Sequence, residues 1–387
     1  MNKKELELYI HIPFCVRKCS YCDFLSAPAT EQTREAYMAA LFAEIGGRAK
    51  DYSDRTVTSI YIGGGTPSLL SGEQIGQLMD RIREQFAMAQ DAEITMEVNP
   101  GTASAEKLRN FYTAGINRLS IGMQSAQAEE LKNLGRIHDF EGFCQVYREA
   151  VEAGFTNINV DIMSGLPGQT LASYRDTLEK VLHLEPMPQH ISAYSLIVEE
   201  GTPFAAMAER GELPLPEEGT ERAMYEETIE VLAKYGFHRY EISNYARDGY
   251  ECRHNVGYWI RRDYLGFGIG AASLIDNVRF QNEKSLGAYL AHPLESREEE
   301  QTLTVQDRME ETMFLGLRLT RGVSCVDFAE QYGRTVEEVY GEVIARNVAD
   351  GLLTVTERKE NQKKDRFLAL TKRGLDLSNY VMAQFLF

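Results

Sequence analysis

His11-Ile-Pro-Phe-Cys15-Val-Arg-Lys-Cys19-Ser-Tyr-Cys22-Asp-Phe24 is the stretch that decides how this chain reads. Its three cysteines are spaced C-x3-C-x2-C directly after a β-rich run, Glu7–Ile12. Thiolates are the ligands of iron–sulfur clusters, and a cubane cluster offers four irons. Three thiolates from one short loop can hold three of those irons and leave the fourth open to a small molecule, so the loop reads as reactive chemistry. A structural zinc site is the alternative, but it wants four closed ligands. The fourth would have to be His11, or Cys144, Cys252 or Cys325 brought in from far away. Six cysteines in 387 residues, three of them isolated, argue against a disulfide framework. The isolated three read as small buried apolar side chains, although Cys252 lies two residues from a histidine of interest below.

Outward from that loop, β-rich runs alternate with helix-patterned segments. Strands are expected at Glu7–Ile12, Thr58–Ile62, Glu93–Val98, Arg118–Ile121, Asn157–Asp161 and His190–Leu196. Helices are expected near 32–50, 71–87, 104–114, 139–153 and 170–184, and Ser71 and Ser104 stand where N-caps belong. Six β-α units in series imply a parallel sheet with right-handed crossovers. Six units cannot close an eight-fold barrel, so the expectation is an α/β fold, an open (β/α)6 partial barrel of the TIM type. Ligands of such folds gather at the C-terminal strand ends. The unusual residues fall there: the cysteine loop after strand 1, Gly63-Gly64-Gly65-Thr66-Pro67 after strand 2, Glu97-Val-Asn99-Pro100 at the end of strand 3, Gln124 after strand 4, and Asp161 with Gly165-Leu-Pro167-Gly168 after strand 5. A triple glycine lets backbone N–H groups approach a ligand closely. It lacks the Gly-Lys-Ser ending of a nucleotide-binding loop.

Three regions are expected: a barrel core with the cysteine loop (1–200), a barrel extension (201–300) and a C-terminal α+β region (301–387). In the extension a helix near 217–235 is followed by Tyr240–Tyr245, His254–Tyr258 and Gly266-Phe-Gly268-Ile-Gly270. The last region should hold helices near 324–332, 336–350 and 371–385, with a hairpin from Gly351–Val355 and Phe367–Leu370, a winged-helix-like set. A net charge of −17 argues against a nucleic-acid surface, which relies on clustered Lys and Arg. No stretch approaches the ~20 apolar residues of a membrane span, and no apolar signal core opens the sequence. Unpaired thiols point to the reducing cytosol.

The cysteine spacing together with Gly-Gly-Gly-Thr-Pro resembles the radical S-adenosylmethionine superfamily. The chain is similar over nearly its whole length to one branch, the oxygen-independent coproporphyrinogen III dehydrogenases and their heme-chaperone relatives. Tyr9-Ile-His11-Ile-Pro-Phe, Glu97-Val-Asn-Pro, Gly122-Met-Gln124-Ser, Gly135-Arg136 and Asn159-Val-Asp161 carry that resemblance. It implies a 4Fe-4S cluster on Cys15, Cys19 and Cys22, with S-adenosylmethionine chelating the open iron. It further implies contacts to a first S-adenosylmethionine from Tyr9, Gly64 and Glu97. A second, as in the dehydrogenase, would lie against Tyr21, Gly65, Thr66, Gln124, Arg136 and Asp161. On their own chemistry Glu97 and Asp161 would equally serve to satisfy loop backbone, and Arg136 would serve as a surface ion pair.

Two features separate the branches. Phe24 stands where the dehydrogenase pattern has a fourth cysteine, and His254-Asn255-Val-Gly-Tyr258 is similar to the H-N-x-x-Y motif of the chaperones. Imidazole is the common axial ligand of heme iron and a phenolate can also serve, while Asn255 would orient the ring or bond a propionate. The alternative is a satisfied core histidine beside Tyr250, Tyr258 and Trp259. Two functions follow. The first is a heme chaperone that binds heme at His254, Asn255 and Tyr258 and passes it to an acceptor protein, itself unidentified, a transient contact with a membrane protein being compatible with this. The second is a radical enzyme that decarboxylates porphyrinogen propionates through a 5′-deoxyadenosyl radical, the cofactor carrying the hard step.

Overall fold

Residues 3–295, 297–360 and 363–386 are described by the structure, a computed structural model. Period-2 alternation shapes its core. Six strands, β1 (Lys4–Ile12), β2 (Arg55–Gly64), β3 (Ala87–Val98), β4 (Arg118–Gln124), β5 (Ile158–Ser164) and β6 (His190–Ser195), pair in parallel and in sequence order. Leu8, Ile10, Ile60, Ile62, Ile94, Met96, Leu119, Ile121, Val160 and Ile162 point outward into one apolar core with the helices. Their neighbours in sequence point inward: Tyr9 and His11, Tyr61, Glu97, Arg118 and Ser120, Asn159 and Asp161, Ser192 and Tyr194 line the lumen. Parallel strands are usually apolar on both faces, and the lumen of a closed (β/α)8 barrel is packed with branched aliphatics. Here stability resides in the outer face, which leaves the inner face available for chemistry.

The outer layer is α1 (Glu31–Arg48), α2 (Gly72–Gln85), α3 (Ala105–Thr113), α4 (Ala128–Leu134), α5 (Phe140–Ala153) and α6 (Leu171–Leu182). Ser71 forms a full capping box with Gln74 at the start of α2. Ser104 caps α3 through Lys107 N alone, since a lysine at the third position cannot return the bond. The six-strand expectation holds. α4 was not anticipated; it is a seven-residue helix whose apolar face is only Leu131 and Leu134.

The sheet continues past both ends of the six-strand set. Beyond β6 lie β8 (Asn244–Ala246) and β7 (His238–Arg239), antiparallel. Beyond β1 lie β9 (Tyr264–Phe267), parallel to it, then β10 (Ala272–Ile275), β11 (Val278–Asn282) and β12 (Arg297–Thr302), antiparallel. The result is a twelve-stranded open sheet among the described residues. After α7 (Pro203–Glu209) and α8 (Glu218–Lys234), a seven-residue helix, α9 (Arg253–Trp259), carries the H-N-x-x-Y motif. Residues from about 305 onward pack around a separate core that includes Met313, Leu317, Phe328, Leu353, Leu368 and Phe385. There Val323–Ser324 and the hairpin strands Leu353–Glu360 and Lys363–Leu370 form a three-stranded antiparallel sheet, the winged arrangement expected. The helix expected at 371–385 is two short helices, Lys372–Asp376 and Ser378–Ala383. No helix among the described residues is long and apolar enough to cross a membrane.

Candidate functional site

The cysteine loop crosses the C-terminal end of the lumen because two neighbours let it. Gly64 adopts φ 111°, a backbone state that favours glycine, and a Cβ there would strike the His11 ring at 2.5 Å. A Cβ on Gly65 would meet the carbonyl oxygens of Phe14 and Ile12 at 2.8 and 2.9 Å, so only glycine lets β2 end flush against the loop. His11 holds the loop's far side: its Nε2 lies 2.9 Å from Leu25 O, and the Tyr9 hydroxyl sits 2.9 Å from its Nδ1.

Cys15, Cys19 and Cys22 are unpaired and line one cavity of about 450 Å³. Thr66 Oγ1 donates to Cys15 Sγ at 3.4 Å and Arg136 Nη1 to Cys19 Sγ at 3.8 Å. Hydrogen bonds and positive charge at sulfur suit thiolate ligands. Among the described residues no fourth histidine or cysteine joins them as a zinc ligand. His11 is engaged at both nitrogens, Cys252 is fully buried at the opposite end of the lumen, and Cys144 and Cys325 lie elsewhere, half-buried. Among the described residues no three His, Cys, Asp or Glu side chains converge on one ion. Ligands of a cubane need not converge, since each thiolate takes its own iron. The donor set therefore fits a cluster with one open iron and does not fit structural zinc.

The residues tied by resemblance to S-adenosylmethionine divide between two adjoining cavities. Tyr21, Gly65, Thr66, Gln124, Arg136 and Asp161 line the cysteine cavity. Tyr9 lines a second, of about 540 Å³, with Phe24, Tyr258, Trp259 and Tyr264. Gly64 and Glu97 face both. Glu97 also does the plainer job, accepting from Gly64 N and the Tyr61 hydroxyl, each at 3.0 Å. Burial, then the neighbouring Asp161, push its carboxyl up to about 7. Asp161 accepts from Asn159 Nδ2 at 2.7 Å and from Ser120 Oγ at 3.3 Å, and burial raises it too. Gln124 stands at φ 69°, where β4 breaks register with β5. Such strain in a non-glycine residue costs on the order of 1–3 kcal/mol and clusters at functional sites. Arg136 is no surface ion pair: its Nη2 donates to Gly122 O at 2.7 Å and its buried Nε has no partner.

The H-N-x-x-Y motif is not at the lumen's mouth but plugs its opposite end. Glu93 accepts the N–H groups of Arg253 and His254, each at 3.1 Å, anchoring the start of α9. The His254 ring stacks on Tyr61, with Nδ1 2.8 Å from Ser59 Oγ and Nε2 3.1 Å from the Tyr258 hydroxyl. Only 1% exposed, it is held neutral: burial, then Arg118 and Arg262, bring its pKa down to about 3. On this geometry the imidazole is the satisfied core histidine of the alternative reading. Its neighbours face outward, Asn255 into the cysteine cavity and Tyr258 into the second. The motif is thus a partition between the two cavities.

Glu7 shares this inner end, fully buried, with Oε2 unpartnered and Arg262 Nη1 3.1 Å from Oε1. Burial raises its carboxyl from 4.5 to about 8, against the opposing pull of Arg262. A raised carboxyl favours folding when protonated, and that contribution is lost as pH rises through the folded value. The chain should therefore lose stability relative to its Glu7→Gln variant between about pH 5 and pH 9, by on the order of a few kcal/mol. Parallel melting curves of the two proteins across that range test this; curves that keep a constant separation would contradict it.

Sequence reasoning missed Arg118, Ser120, Asn159, Ser192, Tyr194 and Asn244 as lining residues. The signal was present, because polar residues at every second position in strands of a parallel sheet already imply a polar lumen.

Comparisons with known proteins agree with this geometry. Residues 9–181 match the Radical SAM superfamily and residues 303–377 the HemN C-terminal domain. The chain is 36% identical to the heme chaperone HemW of Lactococcus lactis, covering 100% of this chain and 98% of that one. It is 38% identical to the HemW of Bacillus subtilis, with 98% of each covered, and 37% identical to that of Escherichia coli, covering 90% of this chain and 92% of the relative. Among solved structures it is similar to coproporphyrinogen III oxidase (HemN) from Escherichia coli, a radical SAM enzyme. There the TM-score is 0.85 at 28% identity, over 100% of this chain and 91% of that one.

Proposed function

Because the chain belongs to the HemW family of the radical S-adenosylmethionine superfamily, we propose that it is a heme chaperone of the cytosol. It would bind a 4Fe-4S cluster and S-adenosylmethionine at the lumen's mouth, hold heme against the His254-Asn255-Tyr258 partition, and transfer it to an acceptor protein. The observation that carries this reading is the placement of the motif. Asn255 and Tyr258 present one polar group to each cavity, and His254 braces Tyr258 from behind. Phe24 supports the same reading. At 58% exposed it borders both cavities, an apolar side chain where the dehydrogenase pattern has a fourth thiol.

When bound, the cluster supplies an open iron for S-adenosylmethionine and, once reduced, an electron. The chain's own residues do the rest. Cys15, Cys19 and Cys22 hold the cluster. Gly64 and Gly65 bring backbone against the cofactor, and Glu97 and Asp161 present buried carboxylates as acceptors for its hydroxyl or amino groups. Arg136 keeps positive charge beside Cys19.

The second reading is porphyrinogen decarboxylation, favoured by the similarity to coproporphyrinogen III oxidase and by the retained lining residues. One experiment weighs both. Anaerobically reconstituted, reduced protein is given heme or coproporphyrinogen III, while the Soret band and 5′-deoxyadenosine are followed. Saturable one-to-one heme binding without substrate-dependent 5′-deoxyadenosine is expected. Stoichiometric decarboxylation with no specific heme binding would overturn the chaperone reading in favour of the enzyme.

A further inference from the structure

Arg118, the first residue of β4, points into the lumen and lines the inner end of the cysteine cavity. It is only 2% exposed, its Nε has no partner, and among the described residues none of its donors meets an acceptor. A guanidinium carries five N–H donors and stays charged in any protein environment. Burying it without hydrogen bonds is costly, and buried charges are ordinarily paired.

The acids around it are committed to other donors. Glu93 receives the N–H groups of Arg253 and His254 together with the Cys252 thiol, and Asp161 receives Asn159 and Ser120. The Glu93 carboxylate favours the charged form of Arg118 through space without bonding it. On the lining of the same cavity, Asn244 carries a buried, unpartnered Oδ1, its amide nitrogen held by Glu241 at 2.5 Å. Asn255 of the partition faces the same cavity. The inner end therefore holds a cation without a hydrogen-bonded anion, and a planar fork of this kind matches a carboxylate with two parallel hydrogen bonds.

We propose that Arg118, in a cavity also lined by Asn244 and Asn255, is a carboxylate-binding site at the inner end of the cysteine cavity. Two ligands carry a suitable aliphatic carboxylate: a tetrapyrrole through a propionate, or a second S-adenosylmethionine, beyond the one on the open iron, through its amino-acid end. The tetrapyrrole source rests on the heme reading above, because Asn255 belongs to both; the carboxylate chemistry does not depend on it.

The test uses the full-length, anaerobically reconstituted protein, with Arg118→Met and the charge-retaining Arg118→Lys. Affinities are measured for heme, heme dimethyl ester and S-adenosylmethionine. A propionate site predicts that heme affinity falls about 10- to 100-fold in Arg118→Met and less in Arg118→Lys. The ester should then bind wild type as weakly as heme binds the Met variant, and should be indifferent to the substitution. A fall confined to S-adenosylmethionine supports the site and assigns it to the amino-acid carboxylate. Unchanged affinities for both ligands in variants that retain cluster absorbance and melting temperature overturn it. If Arg118→Met does not fold, the comparison of heme with its ester on wild type decides the propionate source, and Arg118→Lys decides the S-adenosylmethionine source. Absence of heme binding in wild type defeats the chaperone reading alone and leaves the S-adenosylmethionine arm to judge the site.

Discussion

Replacing any one of Cys15, Cys19 or Cys22 with alanine is expected to abolish the brown visible absorbance of the anaerobically reconstituted protein. Iron per chain should fall to near zero, and S-adenosylmethionine binding should be lost with it. Among the described residues no histidine or further cysteine is free to take the missing thiolate's place. His11 is fixed between Tyr9 and Leu25, Phe24 is apolar, and Cys252 is sealed at the far end of the lumen against Glu93. Two thiolates leave two irons of a cubane open to water and oxidation, so the effect should be close to all-or-none. The fold should survive, because the three cysteines lie in a half-exposed loop outside the apolar core. Cys144→Ala, on the outer helix α5, is the matched control and should retain full iron content. Iron content and visible spectra, with melting curves beside them, check this. A single loop variant that keeps its full complement of iron would remove that cysteine from the ligand set.

Tyr258→Phe and His254→Ala are both expected to weaken heme binding by on the order of 10-fold or more, for linked reasons. Tyr258 faces the second cavity, and its hydroxyl is hydrogen-bonded to His254 Nε2. His254 is in turn fixed by Ser59 and by stacking on Tyr61. Deleting the imidazole unpairs both hydroxyls and leaves a void behind Tyr61, so His254→Ala should also destabilise the fold by ~2–4 kcal/mol. Deleting only the phenol oxygen leaves the packing in place. Tyr258→Phe is therefore the cleaner measurement, and Soret titration with a parallel melt separates lost binding from lost structure. Affinity equal to wild type in Tyr258→Phe would show that Tyr258 contributes nothing to heme binding. Equal affinity in a folded His254→Ala protein would remove the motif from the heme site.

Much of this was legible in the chain. The period-2 runs from Glu7 to Leu196 gave six parallel strands because outward Ile, Leu and Val residues must bury against helices whatever lies inside. The C-x3-C-x2-C spacing gave cluster chemistry, since three thiols within eight residues admit few other uses in a chain with no fourth partner nearby. Less legible were β9 to β12, which are short and stand in a Gly-rich region where local pattern is weak. β9 covers the edge that β1 would otherwise leave unpaired, and β10 to β12 extend the sheet from β9 by antiparallel pairing.

His254 illustrates the other boundary. Its neighbours in sequence marked it as part of a motif, but sequence could not say which members of that motif meet a ligand. One turn of helix directs Asn255 and Tyr258 to different cavities and buries His254 between them. Arg118 is a related case: the strand alternation places it on the lumen face, but its lack of a hydrogen-bond partner is decided only when the strands around it close off water and acceptors. The sequence by itself determined the strand order and the family and named the candidate cluster cysteines, all of which depend on periodicity and short-range spacing. Tertiary structure alone decided which polar side chains share a cavity, which are already satisfied and which remain without a partner, because hydrogen bonding and desolvation depend on what residues distant in the chain bring within about 3 Å.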